Sequence, residues 1–142
     1  MVTEPRDPNF ELTVRESFAR QAVMKMFGAR LASISPGRCE IELPFREDLT
    51  QQNGYFHAGV VTTILDSACG FAAYSLMPQG SGVLSVEFKV NLVAPADGRL
   101  LRAAAEIKRA GRTLTVCTAD AFVDGRICAT MLATMFRIEE RA

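Results

Sequence analysis

The sequence is poor in the groups on which most catalytic sites are built. It holds one histidine, His57. Its sixteen basic and sixteen acidic residues cancel, leaving no net charge. Without a basic surplus a nucleic-acid duplex is not an expected partner, because phosphate contacts call for a basic face. No run of eighteen apolar residues is present, so a helical membrane span is not expected. The opening residues, MVTEPRDPNFELTVRESF, are polar and carry acids. A secretory leader has an apolar core behind a basic start, so a cytoplasmic protein is expected. None of the four cysteines, Cys39, Cys69, Cys117 and Cys128, falls in a CxxC pair. With one histidine and scattered thiols no metal centre is expected, and apolar neighbours read the cysteines as buried free thiols. No Gly-rich phosphate loop, GxSxG elbow or paired-carboxylate motif occurs, and no cofactor is called for.

What is present is globular. Apolar residues make up 49% of 142 and charged residues 23%, enough for one domain with a core of its own. Pro5 and Pro8 open a loose tail over residues 1–9, and the folded domain runs over 10–142. VRESFARQAVMKMFG reads as one helix, with Phe18, Ala22 and Met26 on one face, Gln21 and Lys25 on another, and Gly28 as the stop. Residues 29–34 and 38–45 read as strands around a Ser-Pro-Gly turn. A second helix spans 58 to about 76, with Val61, Ile64, Leu65, Ala68 and Ala72 as its apolar stripe. Four strands follow, over 83–94, 99–109, 112–123 and 126–138, separated by PADG, RAGR and DG turns. In the first of them Val86, Phe88, Val90 and Leu92 alternate with Ser85, Glu87, Lys89 and Asn91. Turns this short predict an antiparallel meander, and the long apolar helix is expected to lie across it. The class is α+β.

The histidine stands at the mouth of the second helix and Asp66 within it. On the helical wheel Asp66 leaves the apolar stripe and joins Thr62, Cys69 and Ala73. A carboxylate there is costly unless partnered. It is either tied to a nearby loop backbone or poised to orient or deprotonate a water. The free N–H groups of Ala58 and Gly59 at the helix N-terminus can accept charge building on a carbonyl oxygen. Gly59 leaves room for an acyl group. Asp66 lies about two turns further along, so a carbonyl group whose oxygen sits at the terminus is expected to span toward it. On the residues alone, His57 is equally a partly exposed loop histidine, and Gly54 and Gly59 equally turn residues.

GYFHAGVVTTILDSACGFAA resembles the signature of hotdog-fold thioesterases of the phenylacetate-degradation (PaaI-like) type, G-x-x-H-G-G with an aspartate nine residues after the histidine. Gly54, His57, Gly59 and Asp66 keep that spacing. GVLSVEFKVNLVAPADGRL resembles the strand and Pro-x-x-Gly turn that follow, and the element order matches from about residue 10 to residue 138. The resemblance implies a hotdog fold, a curved antiparallel sheet wrapped around a long helix. It implies hydrolysis of acyl-CoA thioesters, and dimers or tetramers of dimers whose sites draw on both subunits. Asp66 matches the carboxylate that activates water or attacks directly. Ala58 matches the backbone N–H that polarises the carbonyl, and His57 the histidine that shapes the site. Ser85 matches a strand hydroxyl that holds the water, from the subunit opposite the Ala58 N–H. Two positions depart from the pattern. Ala58 stands for a glycine, and Gln51 for an asparagine, with Asn53 as a neighbour out of register. Phe56, with Phe71, Tyr74 and Met77, either lines an acyl pocket or belongs to the core. Arg109 and Arg112, after Lys108, are either contacts for the CoA phosphates or an ordinary basic hairpin tip. Two further readings accompany this one: an acyl carrier protein as substrate, or a non-catalytic acyl-CoA binding module on the same scaffold.

Overall fold

The computed structural model describes residues 2–140. Helices α1 (Phe10–Arg20) and α2 (Ala22–Phe27) are followed by strands β1 (Arg30–Ser35) and β2 (Arg38–Pro44). A 3-10 turn (Glu47–Leu49) and a loop lead to the long helix α3 (Ala58–Tyr74). Strands β3 (Ser81–Leu92), β4 (Leu100–Ala110), β5 (Leu114–Val123) and β6 (Arg126–Glu139) complete the chain.

All strands pair antiparallel in one sheet of order β1-β2-β4-β5-β6-β3. Strands β4, β5 and β6 form the expected meander. Asp124 and Gly125, both at positive φ, turn β5 into β6 as a two-residue hairpin whose twist suits the strands. Strand β3 departs from the expectation, because it pairs with β6 at the edge and not with β4. Reaching β4 from there means crossing three inter-strand gaps, about 14 Å. The seven residues 93–99 reach up to about 25 Å when extended. The PADG stretch is therefore a crossing over the end of the sheet and not a hairpin.

The first helix also differs from its reading. Gln21, at φ −76° and ψ 103°, breaks it in two, and the first half begins earlier, at Phe10. The break turns the second half, so Met26 is 64% exposed while Val14 and Met24 are buried. Ala22 is exposed as well. Gly28, at φ 78°, ends α2 as expected. Residues 2–9, read as a loose tail, carry specific bonds. The Arg6 side chain donates to the carbonyl of Leu76 at 3.1 Å. Buried Asp7 accepts from Asn9 N–H and from the Thr13 hydroxyl, both at 2.8 Å.

Helix α3 lies across the inner face of the sheet. Its Val61, Ile64, Leu65, Ala68 and Ala72 are buried, as expected, against Ile41, Leu43, Leu101, Ala103, Ala119, Met131 and Ala133. Alanines on β4 and β5 let the helix sit close, which is how a helix with so many β-branched residues is held by packing. The four cysteines are free and buried. Burial, helped by the charge of Glu40, pushes the Cys39 thiol up to about 12. No helix among the described residues is long and apolar enough to cross a membrane.

Candidate active site

Two groups of polar atoms lie on α3, one at its N-terminus and one in its middle. At the N-terminus, the loop before the helix is ordered by Gln51. Its side-chain carbonyl accepts from the backbone N–H groups of Asn53 and, at 3.4 Å, Tyr55. Its backbone carbonyl accepts from Gly54 N–H at 3.0 Å, and Gly54 turns the loop at φ 84°. Gln51 also lines an adjoining cavity of about 470 Å³. Tyr55, Phe56, Ala58, Val61, Pro95 and Cys128 are among the residues around it. Phe56 is buried edge-on against Phe45, with ring centres 5.6 Å apart, so it is both core and cavity wall. Asn53 stays exposed in the loop. Burial raises the Cys128 thiol, which makes it an inert wall and not a nucleophile.

His57 is the N-cap of α3. Its Nδ1 accepts from Gly59 N–H at 2.8 Å. A neutral imidazole accepting at Nδ1 carries its proton on Nε2, which is left as a donor. The cap also changes the expected pair of free amides. Gly59 N–H is consumed by the imidazole, whereas Ala58 N–H, in the first turn, has no acceptor among the described residues. A methyl on Gly59 would lie 3.0 Å from His57 Nδ1, so the role of Gly59 is to let the imidazole close over the helix end. Ala58 is exposed there.

In the middle of the helix, the Ser85 hydroxyl donates to Asp66 Oδ1 at 2.6 Å. Strict alternation had put Ser85 with Glu87, Lys89 and Asn91 on the polar face of β3. A bulge between Ser85 and Glu87 changes this. Ser85 pairs with Met135, and Phe88 with Ala133, so Ser85 shares the inner face with Phe88, Val90 and Leu92. The bulge re-aims one hydroxyl toward the helix. The expected face of Asp66 is corrected too. Cys69 and Ala73 are sealed in the core, where Cys117 Sγ–H donates to the Cys69 carbonyl at 3.6 Å. The open side around Asp66 is instead a cavity of about 80 Å³ bounded by Gln21, Ser67, Gly70, Phe71, Val83, Ser85 and Met135. Phe71 also packs on Phe18 at 5.7 Å, and Tyr74 and Met77 are buried.

The two groups cannot serve one carbonyl within one chain. Ala58 and Asp66 are about 12 Å apart along the axis. The free N–H points outward from the helix end, away from Asp66. A nucleophile must come within about 3–3.5 Å of the carbon whose oxygen accepts that N–H. The expected span along one helix is therefore overturned. Arg109 and Arg112 lie further still. They flank the β4–β5 hairpin at the C-terminal end of α3, where Ile107 N–H donates to Gly37 and Gly37 N–H donates to Ser75 Oγ. At the N-terminal end stand Arg99, over the Phe45 ring, and Arg126, which donates to the Asp97 carbonyl at 2.8 Å. The sequence analysis gave no site role to either, nor to Ser67 or Gln21; Arg126 borders one cavity, and Ser67 and Gln21 border another.

The sequence model of the thioesterase superfamily matches residues 53–129. A crystal structure of a thioesterase family protein from Silicibacter pomeroyi is 51% identical, with a TM-score of 0.89, over 92% of this chain and 99% of that one. The PaaI protein of the E. coli phenylacetic acid degradation operon is 16% identical with a TM-score of 0.84, over 92% of this chain and 94% of that one, a likeness of fold. A 1,4-dihydroxy-2-naphthoyl-CoA hydrolase of Listeria monocytogenes is 24% identical over 94 residues, 66% of this chain and 76% of that protein. A candidate esterase of Halobacterium salinarum is 29% identical over 66% of this chain, which spans 65% of that protein's length. The six-stranded open sheet around α3 is the hotdog fold.

Proposed function

The chain belongs to the thioesterase superfamily, and on that premise we propose that it hydrolyses acyl-CoA thioesters at a site shared by two copies of the chain. The observation that carries this is the division of α3. One end offers a free Ala58 N–H, the middle offers the Asp66–Ser85 pair, and the two are too far apart to act together in one chain. Two copies with their α3 helices side by side and antiparallel bring the end of one helix toward the middle of the other. Strand β3 is suited to that pairing. It is a twelve-residue edge strand with Val86, Phe88 and Leu92 half exposed, and an uncovered edge of that kind is a template for a second chain. Leu84, Phe136 and Leu114 pair across the outer face and are also exposed, which supports doubling of the dimer to a tetramer.

In this reading the thioester oxygen accepts from Ala58 N–H, with His57 Nε2–H as a second donor. Asp66 of the other copy, steadied by Ser85, takes a proton from water, and the water oxygen bonds to the carbonyl carbon. The tetrahedral intermediate collapses, the C–S bond breaks, and CoA leaves as thiolate, which takes up the proton held by Asp66. Gln51 and Phe56 line the cavity beside the helix end, and Asn53 and Gly54 belong to the loop that Gln51 orders. The Listeria relative is named for a CoA thioester, which supports CoA as the leaving group. Arg126 borders a second cavity that shares Tyr55, Ala94 and Pro95 with the larger one, so it suits the CoA phosphates better than Arg109 or Arg112. A cytoplasmic location fits such a substrate. Free-thiol release from acyl-CoA esters of varied chain length, with an aryl member, tests the activity. Binding of acyl-CoA with no thiol released from any member would favour a binding module.

A further inference from the structure

Resting on the hydrolase reading above, we propose that Gly70 and Gln21 shape the acyl slot and select a short acyl group bearing a hydroxyl or carbonyl oxygen. Gly70 follows Asp66 by one helical turn and so shares its face. A Cβ there would touch only Val83 Cγ1, at 4.0 Å, so the space is open. A glycine inside a helix costs about 1 kcal/mol relative to alanine, and no packing in this chain demands it. The space it leaves belongs to the cavity of about 80 Å³ that holds both Asp66 and Ser85. At about 30 Å³ per water, that is room for on the order of three non-hydrogen atoms, well short of the roughly 150 Å³ cavity that takes a benzene ring.

Beyond the Asp66–Ser85 pair, two polar side chains face this cavity, Ser67 and Gln21. The buried Ser67 hydroxyl donates to Gln21 Oε1 at 3.1 Å. That bond fixes the amide and leaves its NH2 group with no acceptor among the described residues. Gln21 is also the residue that breaks the first helix, and the extended backbone there turns its side chain toward α3. A fixed donor in a slot this small favours an acyl group that carries an acceptor, because an acyl chain without one displaces water and leaves the donor unpaired.

The test compares butyryl-CoA, 3-hydroxybutyryl-CoA, acetyl-CoA, octanoyl-CoA and benzoyl-CoA by thiol release, and their non-hydrolysable thioether analogues by calorimetry. The wild-type chain is expected to favour 3-hydroxybutyryl over butyryl by roughly five- to tenfold in kcat/KM, the worth of one hydrogen bond. Gln21→Leu should bring that ratio to about one. Gly70→Val should lower turnover of both four-carbon esters relative to acetyl-CoA by roughly tenfold or more, through overpacking. If Gln21→Leu does not fold, Ser67→Ala, which unties the amide, should lower the same ratio. Preference for octanoyl or benzoyl esters, a wild-type ratio near one, or a ratio unmoved by Gln21→Leu and Ser67→Ala would overturn the proposal. If no thioester releases thiol, the hydrolase reading fails by itself, and the calorimetric ratio for the thioethers still decides whether the slot selects as described.

Discussion

In the reaction proposed above, the N-terminus of α3 and its middle supply complementary halves of one chemistry. At the N-terminus the functional atom is a backbone N–H, exposed, beside a cavity of about 470 Å³. In the middle it is a side-chain carboxylate with one hydroxyl partner, beside a cavity of about 80 Å³. The first half depends on helix geometry, so almost any side chain at position 58 preserves it. The second half depends on residue identity at Asp66 and on a strand bulge that aims Ser85. The halves should therefore respond to different substitutions, and that difference can be used to break them apart.

The largest effect is expected at Asp66. Asp66→Asn keeps the shape and removes the base, so kcat should fall by at least about a hundredfold, within the 10²–10⁴ typical of general bases. KM and the oligomeric state should hold, and a folded Asp66→Asn protein with normal turnover would leave the carboxylate a structural role. Next is Ala58→Pro. Proline is well tolerated at the first helical position, and His57, at φ −61° and ψ 140°, already has a backbone that suits a following proline. The substitution deletes one N–H and little else, so kcat should drop by about 10²–10³ with the melting temperature nearly unchanged. Ser85→Ala should cost on the order of tenfold, in kcat more than in KM. Unchanged kinetics there would remove Ser85 from the mechanism.

Gly59→Ala addresses the cap and the imidazole that makes it. The added methyl displaces the imidazole, and losing the cap should cost about 1 kcal/mol in a denaturation curve. A last effect, seen only at alkaline pH, concerns the core. Burial holds the Cys39 thiol at about 12 against an ordinary value of 9.0, so the folded state keeps a proton that the unfolded chain loses. That contribution to stability is whole below 9.0 and is lost as pH rises toward 12. Urea midpoints on either side of 9.0 should show the decline, less steeply in Cys39→Ala.

Much of this was legible in the residues. The apolar stripe of α3, its start after His57 and the strand alternation follow from periodicity. The spacing of Gly54, His57, Gly59 and Asp66 pointed to the family. The misses have a common cause, since each depends on one local departure from regularity. A bulge moves Ser85 across the sheet, and an extended Gln21 turns a helix. A seven-residue crossing puts β3 at the edge, and an imidazole takes the N–H of Gly59. Periodic patterns average over single residues, so none of these was visible in them. The separation of Ala58 from Asp66 was countable from the sequence, but the outward direction of the free N–H settles what that separation means.

The central claim, that one chain supplies two halves of different sites, is tested most directly by mixing. Ala58→Pro and Asp66→Asn proteins are each purified, combined in equal amounts, unfolded and refolded together, and assayed for thiol release. In a two-fold dimer, random pairing yields mixed dimers with one site free of both substitutions, so activity should return to about a quarter of the wild-type level. A mixture as inactive as its two components, with dimers shown to have exchanged subunits, would contradict the shared site and confine the chemistry to a single chain.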